Sequence, residues 1–182
     1  MKYCSSCGQS VIRGIPPGDD RERFICTSCD KIHYSNPRVV VGCIPLWDDR
    51  LLLCRRAIEP RHGTWTIPAG FLENDESVEE GARREMHEEA LATARDMQPY
   101  GLYNIRHVSQ IYVIFIGQLE NGEFGAGEES LEVRLFDEAE IPWDDLAFPV
   151  VEMALKRYYD DARRGSFPFR IDDVTRRMKQ SD

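Results

Sequence analysis

The sequence predicts an α/β fold in which a mixed β-sheet lies between helices, with a small cysteine-rich module in front of it. Three observations support this prediction. Two Cys-x2-Cys pairs lie near the N-terminus, strand-like apolar segments occur on both sides of a capped helix, and a second helix follows. The 182-residue chain is therefore divided into a module at 1–36, a main domain at 37–164 and a C-terminal tail at 165–182.

The N-terminal module carries four of the six cysteines of the chain. Cys4 and Cys7 form one pair and Cys26 and Cys29 the other, with 18 residues between the pairs, a spacing typical of a four-thiolate Zn²⁺ site. A disulfide framework would need an oxidising compartment, and the first residues are not those of a signal peptide. A redox site would need only one such pair. The sequence therefore predicts a structural zinc ribbon.

The ribbon is too short to bury enough apolar surface to fold alone, so the metal should supply most of its stability. Its five basic side chains are nearly balanced by four acidic ones, which is weak support for nucleic-acid binding. We therefore expect a structural role for the ribbon or a contact in a dimer.

The main domain begins with two apolar segments, 38–46 and 51–56, which predict strands joined by a polar turn. Further strands are predicted at residues 100–106, 109–119 and 132–137. The run 111–116 is apolar on both faces, so this strand should be central in the sheet. Cys43 and Cys54 lie inside the first two segments and are expected to be buried, unreactive thiols.

Two helices are predicted in the main domain. Ser77 and Glu80 form a Ser-x-x-Glu capping box that starts the first helix. Its core-facing stripe is expected to consist of Val78, Ala82, Met86 and Ala90. Gly81 interrupts this helix and should leave space beside its acidic face. The second helix is expected at 148–164, with a buried face formed by Val151, Leu155 and Tyr158.

Three carboxylates, Glu85, Glu88 and Glu89, lie at helical spacing on the first helix. Crowded in this way they would raise one another's pKa, and a bound cation is the simplest relief. Oxygen ligands favour Mg²⁺ or Mn²⁺, which usually bind a few carboxylates together with substrate phosphates. The alternative is a solvated acidic face, which we prefer for Glu79 and Glu80.

The segment resembles the Nudix box, Gly-x5-Glu-x7-Arg-Glu-U-x-Glu-Glu-x-Gly-U, in which U is a bulky aliphatic residue. The matching residues are Gly70, Glu76, Arg84, Glu85, Met86, Glu88 and Glu89. Leu91 stands where the family has its second glycine, and Ala92 is smaller than the usual last residue. The departure falls at the helix C-terminus, where glycine would supply a left-handed cap.

The resemblance implies a Nudix-type α/β/α sandwich over roughly residues 37–164 and metal-dependent hydrolysis of a diphosphate. It adds the backbone carbonyl of Gly70 to the metal ligands Glu85, Glu88 and Glu89. Arg84 is expected to pair with Glu76 and brace the loop. Many family members take a further catalytic carboxylate from a distal loop, which assigns Glu129, or next Glu128, to catalysis beside Glu88 and Glu89. A solvated acidic loop is the alternative for this segment.

Substrate contacts are expected from side chains around the box. Arg55 and Arg56 could meet phosphates, as could Arg61 and His62. Trp65 and Phe71 could stack on a base or simply pack in the core.

The resemblance extends to ribbon-bearing ADP-ribose and FAD pyrophosphatases, so the favoured substrate is ADP-ribose or FAD, cleaved to a nucleoside monophosphate and a phosphorylated product. NADH pyrophosphatases are more distant, because their Ser-Gln-Pro-Trp-Pro-Phe-Pro-x-Ser element is replaced here by the sequence from His107 to Tyr112. The sequence also leaves open an RNA-end processing enzyme and a non-catalytic nucleotide sensor. The sensor is disfavoured because all the box carboxylates are present.

The composition limits the possible partners. The net charge of −9 argues against general binding to nucleic acids or anionic membranes. No apolar run approaches the length of a membrane span. We expect a cytoplasmic enzyme with a nucleotide substrate and, by analogy with the family, a homodimer.

Overall fold

The computed structural model describes residues 1–175. The chain divides into two compact units, with the boundary between Pro37 and Arg38. The first unit contains an antiparallel sheet of three short strands in the order β1 (Val11–Gly14), β2 (Arg23–Cys26) and β3 (Ile32–His33). The remainder of the predicted tail, 176–182, lies outside the described residues.

The second unit is built from one sheet and two helices, α1 (Val78–Ala90) and α2 (Pro149–Arg164). Its strands are β4 (Arg38–Trp47), β5 (Arg50–Arg56), β6 (Trp65–Thr66), β7 (Ala69–Phe71), β8 (Ala94–Ile105), β9 (Gln110–Leu119), β10 (Ser130–Phe136) and β11 (Arg170–Asp173). Among residues 1–175, no helix is both long enough and apolar enough to cross a membrane.

The strands form one mixed sheet in the order β10-β5-β4-β9-β8-β11, with β6 added to β5 and β7 added to β4. The β4–β9 and β8–β11 pairs are parallel and the other pairs are antiparallel. The apolar strand β9 is central, as its two-sided hydrophobic pattern predicted. The predicted mixed sheet is therefore confirmed.

The two faces of the sheet bury different helices. Residues of β4 alternate between them, because successive side chains of a strand point in opposite directions. On one face Val41 and Cys43 join a core with α1 residues Ala82, Met86 and Ala90. On the other face Val40 and Ile44 join a core with α2 residues Val151, Leu155 and Tyr158. The sheet thus lies between the helices, which confirms the α/β/α sandwich.

Both helices agree closely with their predicted bounds. The reciprocal capping box is present, since the Ser77 amide donates to the Glu80 carboxylate at 2.8 Å and the Glu80 amide donates to the Ser77 hydroxyl at 3.3 Å. The prediction that Val78 belongs to the buried stripe was wrong, because this first-turn side chain is 38% exposed. Cys43 and Cys54 are buried as predicted, and burial raises the pKa of both thiols.

The structure contains strand residues that the sequence pattern did not predict. β8 begins at Ala94 rather than near residue 100, and its pairing with β9 is interrupted twice, with Asp96 at a φ of 52°. These irregularities and Pro99 remove the regular alternation by which a strand is recognised. The strands β6 and β7 are too short to show a periodicity.

The segment taken as a tail contributes the edge strand β11. Its anchor is Asp161 of α2, which is 1% exposed and accepts hydrogen bonds from the Tyr100 hydroxyl at 2.9 Å and from both terminal nitrogens of Arg170 at 2.5 and 2.9 Å. The Arg170 guanidinium lowers the pKa of Asp161. The domain therefore extends beyond residue 164.

We predict that Asp161→Ala lowers the free energy of unfolding by about 2–3 kcal/mol, because a buried phenol and a guanidinium lose their acceptor. Urea unfolding checks this. The matched control is Asp160→Ala, which removes an exposed ion pair with Arg163 and should cost less than about 1 kcal/mol. The stabilisation requires the ionised Asp161 carboxylate. The difference in unfolding free energy between Asp161→Ala and the wild type should therefore shrink as the pH falls below about 4. Equal losses for the two variants would contradict the prediction.

Candidate active site

Arg84 is the hub of the charged face of α1. Its guanidinium donates to the Glu76 carboxylate at 2.8 and 3.0 Å, to Glu85 at 2.7 Å and to Glu88 at 2.9 Å. It also donates to the Phe71 carbonyl at 3.1 Å. Arg84 lowers the pKa of Glu76 to about 2. The expected pairing of Arg84 with Glu76 is therefore present, and it braces the loop before the helix.

Glu85 and Glu89 are buried, whereas Glu88 is exposed. Glu89 accepts a hydrogen bond from the Ala69 amide at 3.0 Å. The Glu85 carboxylate lies against Gly70, where a Cβ atom would come within 2.3 Å of both carboxylate oxygens. Glycine at position 70 is thus required by the carboxylate packed above it. Gly81 likewise makes room, but for Val41, Leu72 and Glu76 rather than for a ligand.

Burial sets the electrostatics of this pair. Desolvation raises the pKa of Glu89 to about 8, with a further contribution from the charges of Glu85 and Glu129. Desolvation also raises the pKa of Glu85, although Arg84 opposes it. A carboxylate held in this way is unfavourable in its charged form unless a cation lies beside it. The charge of this pair therefore favours a divalent cation. Among the described residues, however, only the four cysteines bring their ligand atoms close enough together to share one ion, and the glutamates do not.

The donor set also fits such a cation chemically. It consists of carboxylate oxygens and peptide oxygens, which are the ligands that Mg²⁺ and Mn²⁺ prefer. One Arg84 nitrogen lies between Glu85 and Glu88 and holds their carboxylates within its hydrogen-bonding reach. Binding of a cation by all three glutamates would therefore compete with this arginine.

A glycine-containing loop docks on the end of α1. The Gly125 amide donates to the Ala90 carbonyl at 2.8 Å, and the Gly127 amide donates to the Glu89 carbonyl at 3.1 Å. A Cβ at position 127 would lie 1.7 Å from the Glu88 carbonyl oxygen, so only glycine permits this approach. The Glu129 carbonyl accepts from the Ala57 amide at 2.8 Å. These contacts bring Glu129 close enough for its charge to raise the pKa of Glu85 and Glu89.

Leu91 adopts the left-handed conformation that glycine usually supplies at this position. Its φ and ψ are 47° and 33°, and its amide donates to the His87 carbonyl at 2.9 Å. The cap geometry is therefore retained without the glycine, and the side chain is 53% exposed. The docking loop binds the neighbouring carbonyls and helps to hold this end of the helix.

A cavity of about 1210 Å³ lies beside these carboxylates. Its described lining includes the box residues and the distal loop, namely Gly70, Phe71, Glu85, Glu88, Glu89, Glu128 and Glu129. Two of the expected substrate residues contribute to it. Phe71 is 43% exposed with the Arg38 guanidinium 4.6 Å from its ring centre, and buried Arg56 lies 5.3 Å from the ring centre of Phe148.

Arg55 and Trp65, two of the residues expected to contact substrate, are not among the described residues that line the cavity. Arg55 donates to the Gly63 carbonyl at 2.8 Å, on the side of β5 opposite to Arg56. Trp65 is 8% exposed and packs edge-on against Phe136 with ring centres 4.9 Å apart. Strand alternation explains the position of Arg55, and Trp65 takes the core-packing alternative that the sequence had left open.

Several lining residues were not selected from the sequence, among them Arg38, Tyr112 and Phe148. Arg38 opens β4, and Tyr112 lies on β9 directly beside Val40 in the parallel register. Phe148 precedes α2. No local motif marks these positions, because they meet only when parallel strands and the second helix share one edge of the sheet. Alternation in β9 could have placed Tyr112 on the same face as Val40.

The predicted zinc site is assembled in the first unit. The sulfur atoms of Cys4, Cys7, Cys26 and Cys29 all lie within 4.8 Å of one another. The Cys4–Cys29 and Cys7–Cys26 distances are 3.8 and 3.4 Å. A tetrahedral site with Zn–S bonds of about 2.3 Å requires sulfur separations of about 3.8 Å. The cluster therefore fits Zn²⁺.

Peptide amides and one histidine surround the thiols. The Ser6 amide donates to the Cys4 sulfur at 3.4 Å and, with other hydrogen bonds, lowers the pKa of Cys4 to about 7. Amides of Cys29 and Ser28 lower the pKa of Cys26 to about 6. His33 lies 3.3 Å from the Cys4 sulfur, a contact that the Cys spacing did not reveal. Although a peptide amide opposes it at each thiol, hydrogen bonding to the Cys26 side chain raises the pKa of Cys7 and of Cys29. Two of the four thiols are therefore stabilised as thiolates, the form that binds metal.

The chain belongs to the Nudix family: residues 36–156 match the NUDIX domain and residues 2–35 match the Nudix N-terminal zinc ribbon. In this chain the ribbon match directly precedes the NUDIX domain match. Enzymes of this family use divalent metals, in agreement with the acidic face of α1.

Individual relatives are similar over different parts of the chain. A NAD-capped RNA hydrolase NudC from Photobacterium profundum is 28% identical over 78% of this chain and 52% of its own length, so the chain spans about half of that relative. An ADP-ribose pyrophosphatase from Methanocaldococcus jannaschii is 33% identical over 60% of this chain and 67% of its own. A NUDIX hydrolase structure from Nitrosomonas europaea is 48% identical with a TM-score of 0.92, covering 97% of this chain and all of that one.

We predict that Gly70→Ala weakens Mn²⁺ binding at least tenfold, because the new methyl group displaces the Glu85 carboxylate. Titration of Mn²⁺ followed by electron paramagnetic resonance measures this. Gly14→Ala is the control, since its Cβ would make an ordinary contact of 3.5 Å with Ile25. Unchanged Mn²⁺ affinity in Gly70→Ala would show that Glu85 is not a ligand.

We predict that Cys26→Ser removes most of the zinc that purifies with the protein, because the site loses one of four thiolates. Metal content is measured by inductively coupled plasma mass spectrometry. Ser28→Ala alters the same turn without removing a ligand and should retain zinc. Equal zinc content in the two variants would contradict a four-cysteine site.

Proposed function

We propose that this protein hydrolyses the diphosphate of a nucleoside diphosphate linked to a second moiety, with Mg²⁺ or Mn²⁺, and that ADP-ribose or FAD is the substrate. The observation that carries the proposal is the buried Glu85–Glu89 pair that lines the 1210 Å³ cavity. An acidic cavity repels a diphosphate unless a divalent cation bridges the two. The similarity to an ADP-ribose pyrophosphatase supports the choice of substrate.

In this proposal Glu85, Glu88 and Glu89 hold the cation, together with the backbone of Gly70. When bound, the cation supplies polarisation of the phosphoryl oxygens and neutralises charge on the departing phosphate. Arg84 keeps the helix and the preceding loop in register through Glu76 and the Phe71 carbonyl.

Glu129 is assigned to the attacking water. Its carboxylate accepts one proton as the water oxygen bonds to phosphorus, and the anhydride P–O bond breaks with its electron pair remaining on the departing phosphate. The products are a nucleoside monophosphate and a phosphorylated remainder. The charge of Glu129 raises the pKa of both Glu85 and Glu89, so Glu129 lies near these carboxylates. This proximity supports the role.

The cavity arginines are assigned to the phosphates. Arg56 is buried in the wall, and its charge lowers the pKa of Glu89. Arg38 lies over the ring of Phe71, so we assign Phe71 to orienting this guanidinium rather than to stacking on the base.

A second candidate substrate is NADH or NAD-capped RNA, which the similarity to NudC favours. The segment that departs from the NADH pyrophosphatase element supplies His107, Val108, Gln110 and Tyr112 to the cavity wall. Because this segment differs from the NADH pyrophosphatase element, the cavity wall that would contact the substrate also differs. For this reason we favour ADP-ribose or FAD.

The decisive assay incubates the protein with ADP-ribose, FAD, NADH, diadenosine polyphosphates and NAD-capped RNA in Mg²⁺ or Mn²⁺. Released phosphomonoesters are separated by chromatography. We expect turnover of ADP-ribose or FAD, abolished by EDTA. Absence of turnover on every diphosphate would overturn the proposal, and preference for NADH or capped RNA would select the second candidate.

We predict that Glu89→Gln and Glu129→Gln each lower kcat/KM by about 100-fold or more, because each removes a charge from the reacting centre. Glu89→Gln should also weaken Mn²⁺ binding, whereas Glu129→Gln should act mainly on kcat. The control is Glu79→Gln, an exposed position of the same helix that pairs with Arg83, with an expected change below about twofold. Full turnover by either of the first two variants would remove that residue from the mechanism.

A further inference from the structure

The edge strand β11 lies outside the residues that match the NUDIX domain, which end at 156. It pairs in parallel with β8, from Arg170 beside Gly101 to Asp173 beside Asn104. The chain then continues along β8, because the Val174 amide donates to the Asn104 carbonyl at 2.9 Å. β11 thus forms the edge of the sheet opposite to β10.

Two charged contacts fix the strand to the domain. Arg170 donates two hydrogen bonds to buried Asp161 of α2. Arg157, also on α2, pairs with Asp172 and donates to the Tyr103 hydroxyl at 3.3 Å. The backbone and these side chains together determine where Val174 and the next residue lie.

Val174 and Thr175 both line the catalytic cavity. Val174 is 7% exposed and belongs to the core beneath α2, whereas Thr175 is exposed. Ile105, Tyr112 and Phe148 also line the cavity. Ile105 and Tyr112 belong with Val174 to one apolar and aromatic core cluster, and Phe148 packs against it. These apolar residues lie on the α2 side of the sheet, whereas the apolar stripe of α1 packs on the other side. The Arg56 guanidinium lies in the same part of the lining, 5.3 Å from the ring centre of Phe148.

We propose that Val174 and Thr175, the two described residues after β11, form a specificity-determining wall of the substrate cavity and contact the nucleoside base. This inference rests on the proposed function. The diphosphate must lie at the carboxylates of α1, so the remaining groups extend along the cavity. A nucleobase is planar and weakly polar, and it gains most from the apolar and aromatic surface on the α2 side. Ribose and phosphate groups bind more favourably to the charged part of the lining.

The test compares two probes that differ in the base. AMP and ribose 5-phosphate share the phosphate and the sugar, and both are titrated calorimetrically in Mg²⁺. Thr175→Trp narrows the cavity at an exposed position. It should weaken the binding of AMP at least tenfold without changing the affinity for ribose 5-phosphate. Val174→Ala removes apolar contact with the base and should weaken the binding of AMP about threefold. The matched control is Ile171→Trp on the preceding strand β11, at a position that is 65% exposed and not among the described lining residues.

The outcomes separate the wall from the proposed reaction. Selective loss of AMP affinity in Thr175→Trp and Val174→Ala supports the wall, even if no diphosphate in the substrate panel is hydrolysed. Unchanged AMP affinity in both variants overturns the proposed wall. An equal loss of affinity for AMP and for ribose 5-phosphate, together with a lower melting temperature of the variant, also overturns it. Val174→Ala decides the question if Thr175→Trp fails to fold. A wild-type protein that binds ribose 5-phosphate as tightly as AMP also overturns the assignment to the base.

Discussion

The concentration of negative charge on one buried face of α1 is the constraint on which the rest of the site depends. Glu85 and Glu89 lie one helical turn apart with little access to solvent, so their charges are stabilised only by what lies next to them. Arg84 partly meets this need for Glu85 and also ties in Glu76 and Glu88. Glu89 receives one peptide amide and the more distant charge of Arg56. The remaining imbalance is what a divalent cation and its phosphate ligands would correct.

The backbone around the helix is shaped by the same constraint. Gly70 leaves space for a carboxylate, and Gly127 lets a distal loop reach the last carbonyls of α1. That loop has two consequences, since it binds the C-terminal carbonyls of the helix and brings Glu129 beside the cluster. Leu91 can then replace the family glycine, because the end of the helix has partners besides its own cap. One packing arrangement thus provides both a helix terminus and a candidate catalytic group.

Local signals in the sequence predicted both helices, the zinc ribbon and most of the sheet, because capping, periodicity and cysteine spacing act over a few residues. The sequence could not separate nearby residues of similar chemistry that lie on different sides of a strand or at different depths. Arg55 and Arg56 are adjacent arginines, and the pleat of β5 places only the second in the cavity. Trp65 was indistinguishable from Phe71 as an aromatic near the box, yet one is in the core and the other at the surface.

The sequence by itself determined the chemistry of this protein: an acidic helix after Gly70 and four thiols in two turns, because the ligand groups are close in the chain. The tertiary structure decided how that chemistry meets a substrate. Arg38 and Tyr112 come from strands that are distant in sequence and parallel in space. Val174 directly follows the edge strand β11, in a segment that the sequence predicted to be a tail. Such positions depend on strand order and on contacts such as that between Arg170 and Asp161, which no local pattern encodes.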